Sequence, residues 1–166
     1  MRKDALYEDL EFELGLTRKV LERLPEQQFA WKPHEKSMGL GQLAAHVANL
    51  VNWLALAIER DEFDLAANPP PDRRGPTTNA ELLATFDKNV ANAWAAFAKL
   101  DDASLDRPWT LRMGERVIKT LPRRSVIRIM SLSHMIHHRA QLLVYLRLLN
   151  VPVPGVYGPS ADEQGK

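Results

Sequence analysis

Ser133-His134-Met135-Ile136-His137-His138-Arg139-Ala140-Gln141-Leu142-Leu143-Val144-Tyr145 contains neither proline nor glycine. Within it His134, His138, Gln141 and Tyr145 follow at steps of four, three and four, the spacing that puts side chains on one face of an α-helix. The intervening residues are largely apolar, so the stretch reads as a bundle helix carrying a polar stripe. Gln42, His46, Asn49 and Trp53 repeat the same steps earlier in the chain. Two polar stripes on mostly apolar helices read as facing walls of one interior cavity.

Around these stripes the eleven prolines act as punctuation, since each lacks an N–H donor and disfavours helix at the preceding residue. Four long proline-free runs predict four helices. The first, about Asp4 to Leu24, repeats leucine and valine at helical spacing, with acids early and Arg18, Lys19 and Arg23 late, an order that suits the helix dipole. The second spans about Gly39 to Arg60 and is apolar nearly all round, as a buried bundle helix should be. The third begins at Thr78, where Thr78-Asn79-Ala80-Glu81 reads as a capping box, and reaches about Leu100. The fourth opens near Thr120 to Pro122 and is stopped beyond Asn150 by Val151-Pro152. Ahead of it, Trp109–Arg112 and Arg116–Lys119 flank Met113-Gly114-Glu115 and predict a short β-hairpin. The linker from Asp61 to Thr77, with Asn68-Pro69-Pro70-Pro71 and Gly75-Pro76, is too proline-rich for regular structure. It is long enough to cross over the bundle, and the polar tail from Ser160 to Lys166 is expected to fray. The fold expected is an all-α four-helix bundle, one domain over residues 1–166, with a long crossover between helices two and three.

The chain has 166 residues, 45% of them hydrophobic and 26% charged, an ordinary globular composition. Its formal net charge of +1, with no basic stripe of interleaved aromatics, argues against nucleic acid as a partner. The uncharged run from Met38 to Ile58 has the length of a membrane span, but Gln42, His46, Asn49 and Asn52 interrupt it, so no membrane is expected. The N-terminus lacks the apolar core of a secretory signal, which points to the cytoplasm. With no cysteine, the chain offers no thiolate ligand or nucleophile, and His and carboxylates are its strong metal-binding groups.

His134 and His138, one turn apart, can present two imidazole nitrogens to one ion. His46 lies in the uncharged run of the second helix, where a buried imidazole needs partners. Packing the two faces together makes a three-nitrogen site; the competing reading is a set of satisfied core polar residues. His137 is a rival to His138, but it lies about 100° off the stripe that continues to Gln141 and Tyr145, which suits a surface or subunit contact. His34, in the loop before the second helix, reads as solvated.

Ser133-His134-Met135-Ile136-His137-His138-Arg139-Ala140-Gln141, followed by Tyr145-Leu146-Arg147 and by Val153-Pro154 to Tyr157-Gly158-Pro159, resembles the last-helix signature of the DinB/YfiT-like family. Trp31-Lys32-Pro33-His34-Glu35-Lys36-Ser37 leading to Leu43-Ala44-Ala45-His46 is similar to that family's entry into its second helix. The resemblance implies a four-helix bundle, often a homodimer, with a divalent metal, commonly zinc or nickel, held by His46, His134 and His138. Some relatives transfer or isomerise small-molecule substrates with a low-molecular-weight thiol such as bacillithiol or mycothiol, and others are hydrolase-like.

Three neutral nitrogens leave zinc's fourth position open, as in catalytic sites. There a thiol from solution or a water could become the nucleophile that this chain lacks. Gln141, Tyr145 and Asn49 are the candidates for contacting a bound cofactor or substrate. No Asp or Glu occurs between Val117 and Ala161, so a partner orienting the histidines is expected to be a backbone carbonyl or to come from another helix. The cations Lys119, Arg123, Arg124, Arg128, Arg139 and Arg147 either favour an anionic substrate or form a solvated face pairing with acidic helix one. The functional reading is a metal-dependent S-transferase or hydrolase; the alternative is a non-enzymatic, stress-related bundle whose metal is structural or sensory.

Overall fold

Leucine and valine at helical spacing wind Lys3–Glu22 into α1, whose buried face carries Leu6, Leu10, Leu14, Val20 and Leu21. The computed structural model describes residues 3–68 and 75–165. The uncharged run forms a rod broken near its middle, α2 (Leu40–Leu50) and α3 (Asn52–Glu59), with Val51 at the break. The rod is long and apolar enough by composition to cross a membrane, and here it packs as a core element: Leu43, Ala44, Val47, Leu54 and Ala57 are fully or almost fully buried. Its N-terminus receives the preceding loop through two backbone bonds, Leu40 N–H to Trp31 O (2.8 Å) and Gly41 N–H to Phe29 O (2.9 Å). Glycine is needed at 41, because a Cβ there would lie 2.9 Å from Phe29 Cβ.

The third helix is α4 (Asn79–Ala98). At its start Thr78 Oγ1 accepts from Glu81 N–H, while the Glu81 carboxylate chiefly takes the Thr77 N–H at 2.9 Å and its hydroxyl at 2.8 Å, with a weaker interaction with the Thr78 N–H. The fourth helix starts later than expected. Strand β3 (Arg116–Pro122) claims Thr120 to Pro122, so α5 (Arg123–Val126) opens after Pro122, which caps it from an extended conformation. A π-helical segment, Ile127–Ser133, then joins α5 to α6 (His134–Leu148).

The predicted hairpin is present and longer than its hydrophobic pattern suggested. Strands β2 (Pro108–Met113) and β3 (Arg116–Pro122) pair antiparallel about Gly114, whose φ of 59° is left-handed. The linker is not wholly irregular: Glu62–Asp64 forms β1 and pairs parallel with β2, Glu62 opposite Thr110. Its polyproline centre, Pro69 to Arg74, lies outside the described residues. Among the described residues the fold is therefore mostly helical, four helical rods with a three-stranded sheet in the order β1-β2-β3. Trp109 anchors the sheet, buried with its ring 6.1 Å from Trp53.

Of the tail expected to fray, residues 160–165 are described and are tied to the fold, while Lys166 lies outside the described residues. Asp162 pairs with Arg147 at 2.7 Å and accepts from Val153 N–H at 2.8 Å, and Glu163 accepts from Gly155 N–H at 2.9 Å. Helix α6 ends in a Schellman turn: Val151 N–H bonds Leu146 O (3.0 Å) and Asn150 N–H bonds Arg147 O (3.1 Å), with Asn150 at φ 56°. A Cβ without a polar tip is poorly tolerated there. Asn150→Ala is expected to lower stability by about 1 kcal/mol and Asn150→Gly to match or exceed the wild type, read from denaturation midpoints.

Candidate metal centre

His46 sits on α2 and His134 and His138 on successive turns of α6, and the packing of these two helices brings the three rings together. One nitrogen from each lies within 4.8 Å of the others, and His46 Nε2 is 3.5 Å from His134 Nε2. A tetrahedral ion with bonds of 2.0–2.1 Å holds its nitrogens about 3.3 Å apart, close to the His46–His134 separation, and three imidazole nitrogens suit a small borderline cation in type. All three rings are half-buried.

Each ring's character follows from its surroundings. Burial, reinforced by the charge that His138 and His134 carry when protonated, pushes His46 down to about 4. His134 is also lowered, first by burial and then by His138 and His137, against a hydrogen bond to the backbone of Met130 that favours its protonated form. These two imidazoles are thus held neutral near pH 7, the form that donates a lone pair to a metal. His138 Nδ1–H donates to Gln141 Oε1 at 2.7 Å. The orienting partners are therefore a carbonyl in the π-helical segment and a side-chain amide on the same helix, where a carbonyl or a group from another helix was expected. The signals for both are the i−4 spacing of Met130 from His134 and the i+3 spacing of Gln141 from His138; the local widening of the helix at 127–133 has no sequence signature.

The other predicted positions separate. His137 is exposed and outside the cluster, 3.3 Å from Gln141 Nε2. His34 is exposed in its loop, accepting from Lys36 N–H. Tyr145 is buried, its hydroxyl donating to Met38 O at 3.2 Å and its ring edge-on to Trp31. Asn49 turns to α4, where its Oδ1 accepts from Asn89 Nδ2 at 3.4 Å, and lines a cleft of about 510 Å³ with Glu81 and Thr85. Of the remaining stripe, Gln42 Oε1 accepts from Gly39 N–H at the start of α2, and Trp53 packs edge-to-face against Phe63 and Trp109. Five of the six cations pair within the protein: Arg123 with Asp61, Arg124 with Asp106, Arg128 with Asp9, Arg139 with Glu13 and Arg147 with Asp162. Pairing with helix one is thus seen for Arg128 and Arg139, although Arg139 is buried and not solvated.

The chain is similar to an uncharacterized Bacillus subtilis protein, YrdA, at 26% identity over 167 residues, covering 98% of this chain and 92% of the relative. In fold it is similar to the crystal structure of a DinB-like protein from Bacillus cereus, with a TM-score of 0.72, 20% identity, and coverage of 95% of this chain and 100% of that one. A more distant likeness is to the crystal structure of the mycothiol-dependent maleylpyruvate isomerase, with a TM-score of 0.57, 14% identity, and coverage of 92% of this chain and 62% of that one. The DinB family model matches residues 1–165, and the chain belongs to the DinB family.

Proposed function

We propose that this chain binds a divalent metal, zinc or nickel, through His46, His134 and His138, and that it uses the ion to activate a low-molecular-weight thiol or water against a small electrophile. The observation that carries the reading is the convergence of three imidazoles from two helices, one nitrogen from each within 4.8 Å of the others. Such an ion, when bound, supplies a Lewis-acid centre that brings the pKa of a thiol or water towards neutrality. The protein's part is to present neutral rings, held so by burial at His46 and His134, and to fix His138 through Gln141. The cysteine-free chain has no thiol of its own, so the thiol is a cosubstrate, in keeping with a fold relative described as mycothiol-dependent.

The test is turnover. Protein loaded with zinc or nickel is mixed with mycothiol, bacillithiol or glutathione and a panel of electrophiles, and separately with simple esters and amides. Product formed above the uncatalysed rate, lost on chelation and restored by metal, is the expected result. Stoichiometric metal with no turnover across the panel would overturn the enzymatic reading and leave the ion a structural or sensory role.

A further inference from the structure

Side chains on an α-helix lean towards its N-terminus, so a residue reaches back to the positions three and four before it. For Gln141 those positions are His138 and His137, and its amide meets both: Oε1 lies 2.7 Å from His138 Nδ1 and Nε2 lies 3.3 Å from His137 Nε2. Both ends of the amide are therefore turned onto histidines of its own helix, leaving none directed at a ligand.

A carbonyl oxygen only accepts. At 2.7 Å it requires the proton of neutral His138 to sit on Nδ1, and the lone pair is then left on Nε2. A reversed amide would place its NH2 group against Nδ1 and drive the proton onto Nε2, which would then have no lone pair for a metal. We infer that Gln141 is a positioning residue that selects the Nδ1–H tautomer of His138, so that the ring presents its Nε2 lone pair to the centre shared with His46 and His134. It works through His138 and touches no reacting atom. The role deepens the proposed metal site and rests on that reading for its purpose, though the choice of tautomer can be observed without metal.

The experiment compares wild type, Gln141→Leu and Gln141→Glu by two measurements. Two-bond ¹H–¹⁵N correlation spectra of metal-free protein at about pH 8, where imidazoles are neutral, read the His138 tautomer. Competition titration with Zn²⁺ reads affinity. Wild type is expected to show the Nδ1–H form, and Gln141→Leu to shift towards Nε2–H and to bind zinc about 10- to 100-fold more weakly. Gln141→Glu, which keeps the acceptor, should retain the Nδ1–H form and bind at least as tightly as wild type. An unchanged tautomer and affinity in Gln141→Leu overturns the inference, as does a glutamate variant that behaves like the leucine one. If the leucine variant does not fold, Gln141→Ala takes its place. Wild type that binds no zinc, yet shows the tautomer switch between variants, would defeat the metal reading while leaving the role of Gln141 standing.

Discussion

Arg139→Met is expected to lower the stability of the fold by about 3–5 kcal/mol, the usual result of removing one partner from a buried ion pair. Arg139 is 1% exposed and closes a network between α6, α1 and the C-terminal segment. Its guanidinium pairs with Glu13 Oε2 at 2.7 Å and donates to Glu13 O at 3.1 Å, to Thr17 Oγ1 at 3.2 Å and to Tyr157 Oη at 2.7 Å. Tyr157 in turn donates to Glu13 Oε1 at 2.8 Å. Methionine fills much of the same volume but leaves a mostly buried carboxylate with a single tyrosine hydroxyl as its partner. For a chain of this length the loss corresponds to a fall in melting temperature of about 6–20 °C.

The double variant Glu13→Leu/Arg139→Met separates pair from packing. With both charges gone no buried ion is stranded, so the double variant should be more stable than Arg139→Met alone. Additive losses, or an Arg139→Met melting temperature within about 2 °C of wild type, would show that the network does not hold α6 against α1. Arg139 follows His138 directly in sequence, so the same contacts set the rotation of the helix that carries two of the three imidazoles.

This network marks the boundary of what could be read from residues alone. Helices one, three and four follow from leucine spacing and proline placement, because local periodicity reports which face is buried. The three histidines were equally accessible, since spacing of four on one helix and an imidazole in an uncharged run are both local signals. The charge of Arg139 was not informative in that way. Five other cations surround it in sequence, and only tertiary packing distinguishes Arg139 and Arg123, which turn inward, from those that pair at the surface.

The second stripe fails for a related reason. Steps of four, three and four presume one straight helix with one neighbour, whereas the rod breaks at Val51 and packs against both α4 and the segment that runs from α5 to α6. Asn49 consequently faces α4, and Trp53 belongs to the aromatic cluster over the sheet. Strand β1 was hidden because its hydrogen bonds go to β2, nearly fifty residues away, and three residues of a proline-rich linker show no alternation to reveal it.

Replacing any one of His46, His134 and His138 by alanine is expected to abolish stoichiometric metal, and replacing His137 is not. The apparent binding energy of a four-ligand structural zinc site, about 10–16 kcal/mol, divides to roughly 3–4 kcal/mol per ligand, so one lost imidazole weakens binding about 100- to 1,000-fold. Thermal melting makes the contrast measurable. At a free metal concentration 100 times the wild-type dissociation constant, binding stabilises the wild type by about 2.7 kcal/mol. A variant weakened 100-fold gains only about 0.4 kcal/mol under the same conditions. Those energies correspond to a rise of about 5–11 °C in wild type and of about 1–2 °C in each ligand variant. His137→Ala should follow the wild type, because that ring is exposed and meets the far end of the Gln141 amide and the His138 ring from outside the cluster. The alanine variants carry their own control. His46 is held neutral and half-buried without a charged partner, so without metal its loss removes no ion pair and should leave the melting temperature close to that of the metal-free wild type. A metal-induced shift that persists in all three ligand variants would place the ion elsewhere. A shift lost in His137→Ala but kept in His138→Ala would exchange the two neighbouring rings as ligands.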